Sequence, residues 1–209
     1  MTPDDAKLST TSIVLAGGAA SRMHNQDKGL LTLNNKTLIS YVVQRITPQT
    51  ETLIISCNRN TDQYKLFGYL TVQDIKDTAH NPIEQRFNGP LAGILSGLMH
   101  VKTDYTFIAP CDSPNVPNNI VFTLYHALLN AEADIAIPFD GLRTQPLFIL
   151  FKTELREDLE NFILNGGKSV YKWINRHRSV QVDFSLSPDS FLNINTPEEL
   201  KTIEEKHLT

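Results

Sequence analysis

Two adjacent glycines and two basic residues stand together near the beginning of the chain, directly after an apolar run. Gly17 and Gly18 end the run at residues 12–16, and Arg22 and Lys28 follow in the same segment. Glycines at the end of a buried strand let the backbone turn sharply and expose amide groups that can bind phosphate oxygens. Arginine adds a bidentate phosphate donor, and lysine adds a compact cation. This combination predicts an anion-binding site rather than a plain strand-to-helix turn.

Two familiar phosphate-binding loops do not match this segment. The P-loop pattern requires a glycine directly before its lysine, whereas here Gly29 follows Lys28. The dinucleotide fingerprint G-x-G-x-x-G is also absent, because Gly17 and Gly18 are adjacent. The segment therefore indicates a different class of phosphate-binding loop.

The elements that would position this loop alternate along the chain. Strands are predicted at residues 12–16, 52–57, 69–73, 105–109, 134–138, 146–151 and 180–184, and the sixth is a candidate for an antiparallel strand. Helices are predicted at residues 37–46, 61–67, 90–101, 118–131, 154–164 and 169–176, and a capping box at residues 196–199 begins a last one. Continuous apolar strands in β-α-β order are typical of a mainly parallel sheet that is covered on both faces. We therefore expect a single α/β domain over residues 1–209, Rossmann-like with three α/β/α layers, and a loose N-terminal tail at residues 1–10.

The composition excludes several other classes of protein. The chain has 209 residues, of which 41% are hydrophobic and 20% charged, as in an ordinary globular protein. A net charge of −4 argues against nucleic acid as a partner. No apolar run reaches about 18 residues, so no membrane span is predicted. Because the first residues carry no secretory pattern, we expect a cytoplasmic protein, with Cys57 and Cys111 as buried free thiols.

Four sequence blocks carry a resemblance to a known family. Residues 15–28 match the L-x-G-G-x-x-x-R-M-G-x-x-D-K signature of nucleotidyltransferases, with His24 at the usual glycine. The other blocks, in the same order as in the family, are G-P-L-A-G at residues 89–93, P-C-D-S-P at 110–114 and F-L-N-I-N-T-P-E-E-L at 191–200. Together they make the sequence similar to the molybdenum cofactor guanylyltransferases over nearly its whole length.

The resemblance implies a nucleotidyltransferase fold and a specific reaction. GMP is transferred from GTP to the molybdenum-pterin cofactor, Mo-molybdopterin, and pyrophosphate is released. The nucleophile is already an anionic phosphate oxygen, so the reaction needs charge neutralisation and positioning more than a strong general base. The resemblance also implies Mg²⁺ as cofactor and transient contacts with cofactor-biosynthesis and acceptor proteins.

The resemblance further assigns roles to individual residues. The expected nucleotide-binding residues are Leu15, Ala16, Gly17, Gly18, Lys28, Asn58, Asp74 and Asp112. Arg22, Lys28 and Asp112 take the catalytic roles, and Asp112 is the magnesium ligand. Asn193 and Asn195 are assigned to the pterin substrate. The positions agree with the predicted sheet, because Asn58, Asp74 and Asp112 each follow a strand at the same edge, where a carboxylate can hold Mg²⁺ through oxygen.

Simpler interpretations remain open at several positions. Asn58 is equally typical of an Asx-turn at a strand end, and Asn195 can begin the cap of the last helix. Arg143 and Gln145 can reach the second substrate or be solvated loop residues. Lys168 follows Gly166, for which a helix C-cap is favoured.

Two rival functions are also left open. A related enzyme could use CTP or another nucleotide, as a pterin cytidylyltransferase does, or make a nucleotide sugar from a sugar phosphate, because the phosphate loop does not choose the base. A nucleotide-binding module without catalysis is the second rival, which the presence of both Lys28 and Asp112 disfavours. Residues 74–88 look longer than the connection usual in the family.

Overall fold

The computed structural model describes residues 2–16, 27–74, 89–194 and Glu199. Its strands are β1 (Thr10–Leu15), β2 (Thr32–Leu33), β3 (Lys36–Thr37), β4 (Thr52–Ser56), β5 (Leu70–Val72), β6 (Tyr105–Pro110), β7 (Ile135–Phe139), β8 (Leu150–Lys152) and β9 (Ser179–Asp183). Its helices are α1 (Pro3–Leu8), α2 (Leu38–Ile46), α3 (Thr61–Lys65), α4 (Pro90–Leu98), α5 (Ile120–Asn130), α6 (Arg156–Leu164) and α7 (Val170–Ile174). The predicted alternation of strands and helices is therefore confirmed across the described ranges.

Seven of the strands form one sheet in the order β5-β4-β1-β6-β8-β7-β9. Strands β5, β4, β1 and β6 are parallel to one another, and β7 and β9 are parallel to each other. Only β8 reverses direction, between β6 and β7. The expected mainly parallel sheet is confirmed, and so is the antiparallel position of the sixth predicted strand.

The sheet is buried on both faces. Successive residues of β1 point to opposite sides, so that Ile13 packs in the core on the side of α4, α6 and α7, whereas Val14 packs on the side of α2 and α5. Trp173 is fully buried on the first side. This two-sided core explains why the strands are continuous apolar runs, and it gives the expected three layers.

The N-terminal residues form a helix, whereas we expected a loose tail. Residues 3–8 form α1, and the first strand already begins at Thr10. Thr2 and Asp5 form a capping box, Pro3 occupies the first turn, and the buried Ala6 packs the helix against the core. The prediction missed α1 because a two-turn helix leaves too short an apolar pattern to detect.

Regular structure is shorter than predicted at several ends. Strand β8 begins only at Leu150, because residues 145–148 form a turn in which the Phe148 amide donates to the Gln145 carbonyl at 3.0 Å. The helix predicted to begin with the capping box at residues 196–199 lies outside the described residues, apart from Glu199. Cys57 and Cys111 are buried free thiols, as predicted. Across the described ranges, no helix has the length and apolar character to cross a membrane.

A small hairpin packs against the last described segment of the chain. Strands β2 and β3 pair across Asn34 and Asn35, which adopt φ angles of 49° and 62°. Asparagine tolerates this left-handed conformation, which tight hairpin turns require. Leu33 and Leu38 pack with Ile194 in a separate buried cluster. The hairpin that follows Lys28 is thereby fixed to the last part of the described chain.

Helix α4 approaches the sheet closely because glycine faces β1. A Cβ atom at Gly97 would lie 2.6 Å from the Cδ1 atom and 2.9 Å from both Cγ atoms of Ile13, which is fully buried. Glycine at this position therefore allows α4 to pack closely on β1.

We expect Gly97→Ala to lower the free energy of unfolding by about 1–2 kcal/mol. Alanine favours a helix by up to about 1 kcal/mol, but overpacking a rigid core typically costs about 1–3 kcal/mol, and all of Ile13 would have to move. Urea unfolding measures the change. Adding Ile13→Val, which removes the closest atom, should recover part of the loss; a variant as stable as the wild type would show that Ile13 yields without cost.

Candidate active site

The candidate site lies where the chain changes direction within the sheet. Strand β1 stands between β4 and β6, so that the connections leaving the carboxyl ends of these strands diverge on either side. Ligands of open α/β sheets bind in the crevice at such a switch point. Main-chain hydrogen bonds join the ends of these three strands. The Ala16 amide donates to the Ser56 carbonyl at 2.7 Å, and the Cys111 amide donates to the Leu15 carbonyl at 3.0 Å.

A cavity of about 590 Å³ opens at this point. It is lined by Leu15, Ala16, Asp27, Lys28, Ser56, Cys57, Asn58, Asp74, Gly89, Pro90, Gly93, Pro110, Cys111, Asp112, Leu147 and Asn193. Seven of these residues belong to the predicted nucleotide and pterin sites, and they come from five separate parts of the chain. The predicted residues Gly17, Gly18, Arg22 and Asn195 lie outside the described residues.

Lys28 and Asp112 form an ion pair in this cavity. The Lys28 Nζ atom donates to Asp112 Oδ2 at 3.2 Å, and Asp112 is only 8% exposed. Burial raises the pKa of Asp112, the charge and hydrogen bond of Lys28 oppose this rise, and the charge of Glu199 adds to it. A buried carboxylate is costly unless it is paired, so the lysine offsets a penalty that the fold imposes on Asp112.

Local structure brings Lys28 to this position. Residues Lys28–Leu30 form a 3-10 turn, and Asp27 caps it by accepting a hydrogen bond from the Gly29 amide at 3.2 Å. Helix α4 begins at the cavity with Pro90, after Gly89 at a φ of 84°, and no side chain caps it. The positive end of a helix favours anions, so the first turn of α4 and Lys28 are the groups of this cavity that favour an anion, beside the carboxylates of Asp27, Asp74 and Asp112.

Asn58 and Asp74 connect the ends of β4 and β5. The Asn58 Nδ2 atom donates to Asp74 Oδ2 at 2.6 Å, and the Asp74 amide donates to Asn58 Oδ1 at 2.9 Å. Burial raises the pKa of Asp74, and the hydrogen bond from Asn58 opposes this rise. The Asn58 side chain therefore reaches across to a neighbouring strand end, which fixes both groups at the rim of the cavity.

The last described segment completes the wall near Asp112. The Ile194 amide donates to the Asp112 carbonyl at 2.9 Å, and the Ser113 hydroxyl donates to Asn193 Oδ1. Ile194 is fully buried, so it anchors Asn193 beside the carboxylate. The position of the C-terminal block in the sequence does not predict its contact with Asp112 and Ser113. The fold brings the two segments together.

Other predicted candidates lie away from the cavity. Gln145 donates to Asp140 Oδ2 at 2.5 Å, and the Arg143 amide donates to Asp140 Oδ1 at 2.8 Å, so both residues organise the loop before β8. Neither residue lines the cavity, whereas Leu147 from the same segment does. Gly166 has a φ of 86° directly after α6, as the favoured helix C-cap requires.

Sequence reasoning assigned neither Asp27 nor Gly93 to the site. Asp27 stands in the family signature directly before Lys28, which was the available signal. Gly93 lines the cavity and lies close to two other lining residues. A Cβ atom at Gly93 would lie 2.9 Å from Ser56 Oγ and 3.1 Å from Leu15 Cδ2. Its place in the G-P-L-A-G block could have indicated this close approach.

The fold and this site define a nucleotidyltransferase. Residues 12–181 match the MobA-like NTP transferase domain. Two similar curated proteins are each named molybdenum cofactor guanylyltransferase and share 191 aligned residues with this chain, 91% of it and 93% of their own length. The protein of Vibrio vulnificus (strain YJ016) is 40% identical, and that of Vibrio campbellii (strain ATCC BAA-1116) is 39% identical. The chain therefore belongs to the molybdenum cofactor guanylyltransferase family, as the resemblance implied.

A solved structure agrees with this family. The molybdopterin-guanine dinucleotide biosynthesis protein A from Archaeoglobus fulgidus is 26% identical and superposes with a TM-score of 0.74. The match covers 95% of this chain and 98% of that protein. The expected nucleotidyltransferase fold is thus confirmed.

We expect Lys28→Met to destabilise the protein in a pH-dependent way. The folded-state pKa of Asp112 is already above the ordinary 3.8, and removing the lysine raises it further. A raised carboxyl pKa costs stability above that pKa and costs none when the group is protonated in both states. The loss should therefore be about 1–3 kcal/mol at pH 7 and shrink as the pH falls towards 4.

Chemical unfolding at several pH values measures this loss. Lys28→Arg keeps the positive charge and should retain most of the stability at pH 7. A loss of the same size at every pH would show that Lys28 acts through packing of its alkyl chain and not through the charge of Asp112.

Proposed function

We propose that the protein transfers GMP from GTP to the terminal phosphate of Mo-molybdopterin, releases pyrophosphate and yields the guanine dinucleotide cofactor. One observation carries the proposal: a cavity at the switch point of a family-typical fold gathers an ammonium group, a helix N-terminus and a buried carboxylate. These groups match what a triphosphate and its metal require. The curated relatives bear the name of this activity.

We assign Mg²⁺ to Asp112, and the donor chemistry fits this ion. Asp112 offers carboxylate oxygens at the end of β6, and Glu199 lies near enough for its charge to raise the pKa of Asp112. Magnesium in nucleotide sites is usually held by one or two carboxylates and by phosphate oxygens. A cluster of three or more acidic, histidine or cysteine ligands is not needed, and the described ranges contain none. The bound ion supplies positive charge against the α-phosphate and the pyrophosphate.

Lys28 is assigned to the triphosphate. Its ammonium group donates a hydrogen bond to Asp112 in the structure. Because the lysine side chain is flexible, a small change of its torsion angles can exchange the carboxylate for a phosphate oxygen as acceptor. The first turn of α4 adds main-chain donors at the part of the cavity that Gly89 and Pro90 line. Arg22, Gly17 and Gly18 remain predictions for the same phosphates.

No protein nucleophile is required. The described ionisable residues that line the cavity are Asp27, Lys28, Cys57, Asp74, Cys111 and Asp112. Burial raises the pKa of Cys57 to about 11 and also raises the pKa of Cys111, so both thiols stay protonated at neutral pH and are weak nucleophiles. Direct in-line attack by the anionic phosphate oxygen of the acceptor on the α-phosphorus therefore suits the site, with positioning and electrostatics as the main sources of acceleration.

The nucleoside and the pterin are assigned to opposite sides of Asp112. Leu15 and Ala16 offer main-chain groups, and Asn58 and Asp74 stand together on the β4–β5 side, where we place the guanosine. Asn193 lies on the side of the C-terminal segment, where we place the pterin together with Asn195. We also infer a cytoplasmic location, where the free thiols stay reduced, and transient contacts with the proteins that deliver and receive the cofactor.

The decisive experiment measures pyrophosphate release from GTP and Mg²⁺ with Mo-molybdopterin as acceptor. Asp112→Asn, which keeps the shape of the side chain and removes its charge, should lower kcat by at least about 100-fold while thermal unfolding stays cooperative. CTP, UTP and ATP serve as controls. Faster turnover with CTP would identify a pterin cytidylyltransferase instead, and nucleotide binding without turnover would identify a non-catalytic module.

We further expect Asn193→Ala to raise the KM for Mo-molybdopterin by about 10-fold while the KM for GTP stays within about twofold, since one or two hydrogen bonds would be lost. Leu192→Ala, at the exposed neighbouring position, is the matched control and should change neither constant. A selective rise of the KM for GTP would move Asn193 to the nucleotide side.

A further inference from the structure

The carboxylate of Asp27, the residue directly before Lys28, receives hydrogen bonds from two residues that are distant in sequence. The Tyr64 hydroxyl donates to Asp27 Oδ1 at 2.5 Å, and the Asn60 Nδ2 atom donates to Asp27 Oδ2 at 3.0 Å. The Gly29 amide also donates to Oδ1, at 3.2 Å. Both carboxylate oxygens are therefore engaged, and two of the three donors come from the connection between β4 and β5.

Tyr64 is placed to hold this arrangement rigidly. It lies on α3 and is fully buried, with its ring tilted against Phe67 at a centroid distance of 6.5 Å. Burial raises the pKa of Tyr64, so its hydroxyl remains a donor at neutral pH. A buried tyrosine hydroxyl needs a partner, and Asp27, which lines the cavity, is the partner of this one.

Steric contact adds to the hydrogen bond. A Cβ atom at Gly29 would lie 2.6 Å from the Tyr64 hydroxyl oxygen and 3.0 Å from Cys111 Sγ. The main chain directly after Lys28 is therefore held between the phenol and the residue before Asp112. Such packing leaves the Lys28–Leu30 turn little room to shift.

Asn60 joins the same group of residues from the loop that begins with Asn58. It adopts a left-handed conformation with a φ of 52°, which asparagine tolerates better than most residues. The loop that contains Asn58, at the rim assigned to the nucleoside, is thereby connected through Asp27 to the lysine assigned to the phosphates.

We propose that Tyr64 is a positioning residue, which acts through Asp27 to set the reach of Lys28 into the cavity and fixes the distance between the nucleoside side and the phosphate side of the site. The proposal rests on the proposed function in one respect, the binding of a nucleotide phosphate by Lys28. Tyr64 itself does not line the cavity. Its effect must therefore depend on Lys28.

Tyr64→Phe tests this role, because it removes one oxygen atom and keeps the ring. With the full chain and Mg²⁺, we expect the Kd of GTP to rise roughly 5-fold, as for loss of one hydrogen bond, and the Kd of guanosine, which has no phosphate, to stay unchanged. Calorimetry measures GTP, and displacement measures guanosine. Tyr125→Phe is the matched control and should change neither value. Tyr125 is a buried tyrosine of α5 that packs edge-on against Tyr105 of β6.

A double-mutant cycle separates positioning from a general loss of structure. Lys28→Met should weaken GTP binding, and adding Tyr64→Phe to that variant should cause no further loss, since the lysine to be positioned is absent. Asn60→Gly provides an independent variant that suits the left-handed conformation, and it should weaken GTP binding in the same direction as Tyr64→Phe.

The outcomes distinguish this inference from the proposed function. If Lys28→Met leaves GTP affinity unchanged, the assignment of Lys28 to the phosphates fails first. If Lys28→Met weakens GTP binding but Tyr64→Phe and Asn60→Gly do not, the positioning role is wrong and the proposed function stands. An equal loss from Tyr64→Phe with and without Lys28, or an equal loss for guanosine, would also overturn the positioning role.

Discussion

A carboxylate buried at the end of a central strand can stay ionised only beside a compensating cation, and this constraint organises the candidate site. The fold places Asp112 at the end of β6, where burial raises its pKa, and Lys28 is the cation that opposes the rise. The two residues are 84 positions apart in sequence, and the turn Lys28–Leu30 brings Lys28 to the end of β6. The Asp27 cap, the Gly29 contact and the Tyr64 hydrogen bond hold this turn in place.

An acidic protein must meet a polyanion with individual groups. The chain carries a net charge of −4, so its overall field repels a triphosphate. The groups of the cavity that favour an anion are Lys28 and the first turn of α4, and they lie beside the carboxylates of Asp27, Asp74 and Asp112. The proposed Mg²⁺ would add positive charge against these carboxylates, so local groups rather than total charge govern anion binding here.

Much of the architecture could be predicted from the sequence because it follows from local patterns. Continuous apolar runs identified strands that are buried on both faces, and the rule that parallel strands end at one edge brought Asn58, Asp74 and Asp112 together. In each case the side chain type and its position along an element were sufficient.

The remainder depended on contacts between distant segments. The helix α1 is stabilised by a capping box and one buried alanine, a signal too short for periodicity. The bond from Tyr64 to Asp27 spans 37 positions and has no local pattern. Gly17, Gly18, Arg22 and Asn195 stay predictions, since they lie outside the described residues.

The attachment of Ile194 has a consequence for biosynthesis of the protein. Its amide donates to the Asp112 carbonyl, and its side chain packs on Leu33 of the hairpin and on Leu38 at the start of α2, both more than 150 positions earlier in the chain. Contacts between such distant segments form late, because loop closure must come first. A nascent chain on the ribosome can thus assemble the early strands, but it cannot close the wall beside Asp112 until Ile194 has emerged from the exit tunnel.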